Sequence, residues 1–374
     1  MKITFLLPTV GFSGGIRVVA IYADWLKNRG HDVTVISPPP QRIPLTRAVK
    51  KWLTGGGKQK YQRFVASHLD GRGLNHVVLD THRPPKAGDI KISDVIVATW
   101  WETAEWLMAL PNHLGAKAYF IQHHEVFGNL PRERCEATYR FPLHKIVVAK
   151  WLKELMNNCY HDTNVDLVSN GVDHNLFFAP TRSRQVRPTV GILYHEAPFK
   201  GVDVALSVVA KLGKKYPDLK VVAFGSKPPS GAFALPPFLE LHVAPSQESL
   251  RGLYASCDVW LSTSRSEGFN LIALESMACR TPLVSTRTGW PIEGVRDGLN
   301  GYLVDVDDVD TAFLAVSNVL DQSEEAWMEM SANAHASVAD LSWDESFRLF
   351  EASLFRASGN ASHIEKIWEG STLQ

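Results

Sequence analysis

The sequence predicts an α/β fold of two doubly wound parallel-sheet domains, and three observations carry that reading. At 374 residues the chain exceeds the size at which one hydrophobic core keeps growing. It opens on an apolar stretch, Lys2 to Pro8, followed by the glycine loop Gly11-Phe-Ser-Gly-Gly15. An amphipathic run from Ile16 to Arg29 and a second apolar stretch, Asp32 to Ser37, come next. That strand, glycine loop, helix, strand order begins a doubly wound domain and puts the loop at the carboxyl end of the first strand. The same alternation restarts at Thr189, after a polar, basic segment bounded by Pro180 and Pro188.

Each further element follows from apolar runs and their punctuation. In the first half, Asp94–Thr99, Ala118–Gln122, Lys145–Ala149 and Val165–Ser169 read as strands. In the second, Thr189–Leu193, Lys220–Gly225, Leu239–Val243 and Cys257–Thr263 do, with helices through Lys215, over Ser246–Ala255 and from Leu271 onward. The tail from Ser342 is helical. The expected domains are residues 1–175, residues 176–345, and a C-terminal helix, 346–374, packing back on the first.

Composition fits a soluble globular protein, with 45% hydrophobic and 21% charged residues. No apolar run approaches the roughly eighteen residues needed to span a bilayer. Met1 to Pro8 is too short an apolar run for a signal peptide and lacks a small-residue cleavage site, so it reads as the first strand. Cys135, Cys159, Cys257 and Cys279 are scattered, which fits free thiols and a cytoplasmic location. Formal net charge is +0, yet residues 1–180 hold 22 Lys and Arg against 15 Asp and Glu, and residues 181–374 hold 17 against 24. The halves thus carry +7 and −7, a split that suits an anionic partner for the first half or attraction between the halves.

A nicotinamide dehydrogenase is disfavoured, because the first glycine loop lacks G-x-G-x-x-G spacing and no acid follows the second strand, where Ser37-Pro-Pro-Pro40 stands. Residues 42–63 hold seven basic residues and no acid, interleaved with Trp52 and Tyr61 around Gly55-Gly-Gly57. Such a stretch suits an anionic membrane surface or a lipid-linked acceptor, or else is a solvated loop. Nucleic acid is not expected, because no recognised binding module accompanies the charge.

The richest stretch is Leu261-Ser-Thr-Ser-Arg-Ser-Glu267-Gly-Phe-Asn-Leu-Ile-Ala-Leu-Glu275-Ser-Met-Ala278, a strand end, a polar turn and a helix start. Glu267 and Glu275 stand eight positions apart, a little over two turns at 3.6 residues each, so both can face one cleft. Amides of Gly268, Phe269 and Asn270 would offer an anion site at the positive helix end.

This pattern, with Thr281-Pro-Leu-Val-Ser285 behind it, resembles the signature of family 4 of the retaining glycosyltransferases, of GT-B fold. The resemblance covers nearly the whole chain, strongly in residues 170–310. It implies two Rossmann-like domains facing a central cleft, an acceptor on the first and a nucleoside diphosphate sugar on the second. Glu267 would lie by the donor sugar and the reacting centre, and Glu275 would bind the ribose. Phe269, Asn270 and Leu271 would offer amides to the diphosphate or sugar, and Gly14 and Gly15 would approach the donor phosphate. Gly225 and Val243 would lie near the base, and Lys200 would bind phosphate. The arginine usual five or six positions before that lysine is missing, His195 and Tyr194 standing there instead. Arg280 stands where the family usually has glycine, so the turn after the helix is expected to differ.

In the first half, His123 matches the histidine that family members carry near the donor sugar, with His124 beside it. Trp100 or Trp101 would stack on an acceptor sugar or pack in the core. Neither His123-His124-Glu125 nor any other set reads as a metal site. Asp305-Val-Asp307 is similar to the aspartate pair that holds a metal in the other glycosyltransferase fold, but here is expected to cap the helix from Val309. The function implied is a retaining, metal-independent glycosyltransferase with no cofactor beyond its sugar nucleotide, acting on a glycan or lipid-linked acceptor in cell-surface polysaccharide or glycoconjugate synthesis. A sugar-nucleotide epimerase of the same fold and a non-catalytic sugar-binding module are the alternatives.

Overall fold

The computed structural model describes residues 1–41 and 65–360; the basic stretch 42–63 lies outside the described residues. The chain forms two compact units. Of the described residues, one unit contains those of Met1–Val147, Lys153–Val168 and residues 347–360; the other contains Val148–Leu152 and Ser169–Ser346. The break between the units therefore falls after Val168, ahead of the expected one at residue 175. The last described helix, Trp343–Ala357, enters the first unit at Phe347; residues 361–374 of the expected helix lie outside the described residues.

The first unit is built on β1 (Lys2–Leu6), α1 (Gly14–Asn28), β2 (Asp32–Ser37), β3 (Asn75–Val78), β4 (Val95–Ala98), α2 (Trp101–Ala109) and β5 (Ala116–Ile121). It continues with α3 (Arg132–Thr138), β6 (His144–Val147), most of α4 (Lys150–Tyr160) and β7 (Val165–Leu167). Its seven strands lie in the order β3-β2-β1-β4-β5-β6-β7, every pair parallel. A parallel sheet covered on both faces needs apolar strands throughout, and Val-Ile-Val-Ala of β4 is buried at all four positions. Ser13 caps α1 by accepting the Ile16 N–H, which starts the helix at Gly14, two residues ahead of the expected start.

The last helix of the described chain, Trp343–Ala357, carries Phe347 and Phe350 into the first unit. The Phe350 ring stacks on Tyr22 at 4.2 Å and meets Phe120 edge-on at 5.0 Å. Aromatic pairs of this kind add about 0.5–1.5 kcal/mol beyond the area they bury. Two carboxylates pin the same helix. Glu351 accepts from His31 Nε2 at 2.6 Å and Arg29 at 3.2 Å, while Asp166 meets Ser353, His144 and Arg356.

The second unit holds β8 (Thr189–Leu193), α5 (Val202–Lys215), β9 (Lys220–Gly225), β10 (Leu239–Val243), α6 (Gln247–Ala255), β11 (Val259–Ser262), α7 (Leu271–Ala278), β12 (Leu283–Thr286), α8 (Pro291–Gly294), β13 (Gly301–Val304), α9 (Val309–Leu320) and α10 (Glu324–Ala336). Its six parallel strands run β10-β9-β8-β11-β12-β13. Val190, Ile192, Val221, Ala223, Val259 and Leu261 form the sheet's share of the core, and Val208, Val209, Val316 and Val319 of α5 and α9 cover it. Each buried Val, Ile or Leu among them contributes roughly 1.5–3 kcal/mol relative to exposure. At Gly171 a Cβ would stand 2.3 Å from the Ser342 carbonyl carbon, so glycine there lets residues 342–343 pack against it.

Candidate functional site

In each sheet the chain reverses its strand-ordering direction once among the central strands. In the second unit β9 lies on one side of β8 and β11 on the other, so the switch point lies between β8 and β11. Open α/β sheets bind ligands outside the carboxyl ends of their strands at that point. Lys200 follows β8 and Glu267 follows β11, so these two sequence-predicted residues meet there.

Lys200 ends a 3₁₀ turn, Pro198–Lys200, and Gly201 turns the chain left-handed at φ 62° into α5. A Cβ at Gly201 would lie 2.0 Å from the Thr263 carbonyl oxygen, so glycine alone lets the lysine turn seat against the end of β11. The Lys200 ammonium donates to Glu267 Oε1 at 2.6 Å, and the Ser264 hydroxyl donates to the same oxygen at 2.7 Å. Glu267, Ser264, Thr263 and Asn270 are all buried. A cavity of about 10 Å³, the size of one water, touches Lys200, Ser264, Glu267, Asn270 and Trp260.

The helix start behind Glu267 is tied from its carbonyl side. Gly268 O accepts the Trp151 indole N–H at 2.9 Å, and Phe269 O accepts the Trp290 N–H at 2.8 Å. Asn270 takes a left-handed conformation at φ 77° and donates to Ser262 Oγ at 3.0 Å. Leu271 is the first residue of α7, whose first-turn amides have no partner within the helix. Glu275 lies within α7, is 3% exposed and accepts the Tyr254 hydroxyl.

His195 sits half-buried, with Nδ1 accepting the Ala197 N–H at 3.1 Å. Burial first, then the charges of Lys200 and Lys227, lower its pKa. These effects disfavour the imidazolium in the free protein. Gly225 has a reason that involves no ligand, because a Cβ there would lie 2.5 Å from Tyr194 O; Val243, at the end of β10, is exposed. In the turn after α7, Arg280 adopts φ 60° and donates its backbone N–H to Met277 O.

The aspartates 305 and 307 do not cap α9. Asp308 does, accepting the Thr311 N–H, whereas Asp305 pairs with Arg287 and Asp307 with Arg265. Among the described residues there is no group of three His, Cys, Asp or Glu able to hold a metal ion.

In the first unit the switch point lies between β1 and β4. Gly14 and Gly15 open α1 after β1. A Cβ would meet nothing at Gly14 and only the Gln122 side chain, at 3.6 Å, at Gly15, so the space above this helix end is open. Trp100 follows β4 and is half-buried, whereas Trp101 is 4% exposed beneath the Arg134 guanidinium. Of the two tryptophans, then, only Trp100 has a face to offer a sugar; Trp101 belongs to the core.

His123 follows β5, its Nδ1 2.9 Å from His124 O. His124 Nε2 meets the Tyr160 hydroxyl at 2.7 Å, and burial, with His123 beside it, pushes its pKa down to about 4. Behind them lies a residue that sequence reasoning treated only as a failed metal ligand. Glu125 is 1% exposed, accepts the Trp101 N–H at 2.7 Å, and has its own N–H bound by the Tyr139 hydroxyl. Burial holds its carboxyl well above the usual range.

Residues 185–322 match the family described as Glycosyl transferases group 1. Over 221 residues the chain is 32% identical to D-inositol 3-phosphate glycosyltransferase of Mycobacterium marinum, covering 52% of this chain and 46% of that protein. The enzyme of the same name from Acidothermus cellulolyticus is 26% identical over 380 residues, 88% of this chain and 83% of its own. The chain spans about half the length of the curated relatives it matches at 31–33% identity. Among solved structures, Anabaena HepE in complex with UDP-glucose superposes with a TM-score of 0.69 at 15% identity, over 94% of this chain and 99% of that one. That likeness establishes the GT-B fold.

Proposed function

We propose, from the premise that residues 185–322 are a glycosyl transferases group 1 domain, that this chain transfers a sugar from a nucleoside diphosphate to an acceptor hydroxyl. The observation that carries the reading is the Lys200–Glu267–Ser264 cluster at the switch point of the second sheet, inside the family-matched segment. The second unit binds the sugar nucleotide. Lys200 and the amides at the start of α7 stabilise the negative charge that grows on the departing diphosphate, as preorganised donors do wherever charge develops. Glu275 accepts the ribose hydroxyls.

The reaction is retaining. The acceptor oxygen bonds to the anomeric carbon on the face the diphosphate leaves, the carbon–oxygen bond to the diphosphate breaks, and the acceptor proton passes to the leaving phosphate oxygen. Glu267 faces the sugar, and no metal takes part. His123, His124 and Trp100 of the first unit serve the sugar and the acceptor, and Gly14 and Gly15 leave room for phosphate.

The acceptor is a glycan or a lipid-linked saccharide used in cell-surface polysaccharide or glycoconjugate synthesis. Residues 42–63 hold the protein to the anionic inner face of a membrane, and no described helix is long and apolar enough to cross one. A cytoplasmic setting suits the four free cysteines, three of them buried.

Incubation with UDP-, GDP- and ADP-sugars, with and without acceptor, tests the proposal. Acceptor-dependent release of nucleoside diphosphate with retained anomeric configuration by NMR is expected. Epimerised donor without acceptor, an inverted product, or binding without turnover would each overturn it.

A further inference from the structure

Arg265 lies in the turn between Ser264 and Glu267, and its side chain reaches three separate segments of the second unit. Nη1 and Nη2 fork onto Asp203 at 3.0 and 2.6 Å, in the first turn of α5. Nη1 also donates to Pro198 O at 2.6 Å, and Nε to Asp307 Oδ1 at 2.6 Å. The backbone joins in, since Phe199 O accepts the N–H of Arg265 at 2.8 Å and of Ser266 at 3.3 Å. Asp307 is held at φ 64°, a left-handed conformation that most side chains avoid. The guanidinium thus binds the turn that presents Lys200 at Pro198, the helix after it at Asp203, and the segment after β13 at Asp307.

We infer that Arg265 is a positioning residue: its fork fixes the turn carrying Lys200 against the turn carrying Glu267, and so sets the 2.6 Å pair between them. The Arg265 side chain is 29% exposed, with Asp203 at 45% and Asp307 at 54%. Screened by water, these pairs add little to global stability, and their effect is geometric. Lysine has one ammonium where arginine has a planar fork, so it cannot bind all three segments. The inference deepens the proposed function, because Lys200 and Glu267 are its donor-side residues. It also accounts for Asp307 without a metal.

Two measurements separate this inference from that reading. The first needs no ligand: in protein carrying ¹³Cε-lysine, the two ε-protons of Lys200 have distinct shifts while Glu267 holds the ammonium. They are expected to merge in Arg265→Ala, and in part in Arg265→Lys, with circular dichroism unchanged. Should Arg265→Ala not fold, Asp203→Ala, which removes only the fork's acceptor, carries the same expectation. Unchanged Lys200 shifts in the folded variants would overturn the inference.

The second is calorimetric titration with UDP, GDP and ADP. For the tightest, Kd is expected to rise about tenfold in Arg265→Ala, but less than about twofold when the same change is made in Lys200→Ala, since residues acting through one another are not additive. Equal effects in both backgrounds would also overturn it. If the wild type binds none of the three, the glycosyltransferase reading falls, while the lysine spectra still decide the role of Arg265.

Discussion

The Tyr254 hydroxyl donates to Glu275 Oε2 at 2.8 Å inside the second unit, holding a carboxylate that is 3% exposed. A carboxylate so oriented loses little freedom when it accepts a sugar hydroxyl. Glu275→Ala is expected to weaken sugar-nucleotide binding by about 1.5–3 kcal/mol, the worth of a hydrogen bond to a charged group. Tyr254→Phe should cost less, about 0.5–1.5 kcal/mol. Unchanged calorimetric affinity in Glu275→Ala would remove Glu275 from the ribose site.

Donor affinity should depend on pH through His195. Burial, Lys200 and Lys227 lower its pKa in the free protein, and a bound diphosphate would raise it. Binding then takes up a proton between those two values, so affinity rises as pH falls through the bound pKa and levels off below the free one. Because the free value lies below 6.5, the rise comes at more acidic pH than an ordinary histidine would give. His195→Arg should flatten the curve. Parallel titrations of wild type and His195→Ala with an intact sugar nucleotide would show that His195 takes no part.

Turnover should persist in excess EDTA. The two aspartates placed like a metal-binding pair, Asp305 and Asp307, face Arg287 and Arg265 instead. Activity lost to EDTA and restored by manganese is the contrary result.

Acid should loosen the first unit through Glu351. Its hydrogen bond from His31 and the charge of Arg29 hold the carboxyl below its ordinary value against the opposing effect of burial. A depressed folded-state pKa contributes stability that is present above the unfolded value, near 4.3, and lost as pH falls through the folded one. Glu351→Gln should therefore cost about 1.5–3 kcal/mol at pH 7 and progressively less below pH 4. Denaturant midpoints across that range measure it, and a penalty independent of pH would count against the linkage.

Arg280 occupies a left-handed position at φ 60° after α7, where glycine is at ease, and its Nε donates to Ala179 O at 3.1 Å. Both Arg280→Ala and Arg280→Gly lose that bond, but only the glycine variant relieves the backbone. The glycine variant should be the more stable of the two by about 1 kcal/mol. Equal melting temperatures would show that the turn carries no strain.

What the sequence made legible follows from how local each signal is. The strands β1, β2, β8 and β9 were readable because parallel strands buried on both faces are apolar runs bounded by glycine or proline. Lys200 and Glu267 were readable as motif residues, and the sheet order then explains why residues far apart in the chain meet. The pairings of Arg265 with Asp307 and of Glu125 with the Trp101 N–H were not legible, because neither partner carries a mark of pairing in the chain. Trp101 and Trp100 look alike as neighbours after a strand, and only the start of α2 decides which turns into the core. Asp308, rather than Asp305 or Asp307, caps α9 because it stands immediately before Val309, the place from which a carboxylate reaches the Thr311 N–H.

The first unit is discontinuous along the chain, and that has a consequence for synthesis on the ribosome. Its sheet is complete by β7, yet Phe350, which covers Tyr22 and Phe120, comes only after the whole second unit. At the usual 5–20 residues per second, the interval between residues 168 and 347 lasts roughly ten to forty seconds. The second unit, contiguous apart from Val148–Leu152, emerges within that time and can close first. Vectorial folding is thus reversed here: the nascent N-terminal sheet waits with an aromatic face open, and a fragment ending at residue 168 would keep that face open to misassembly.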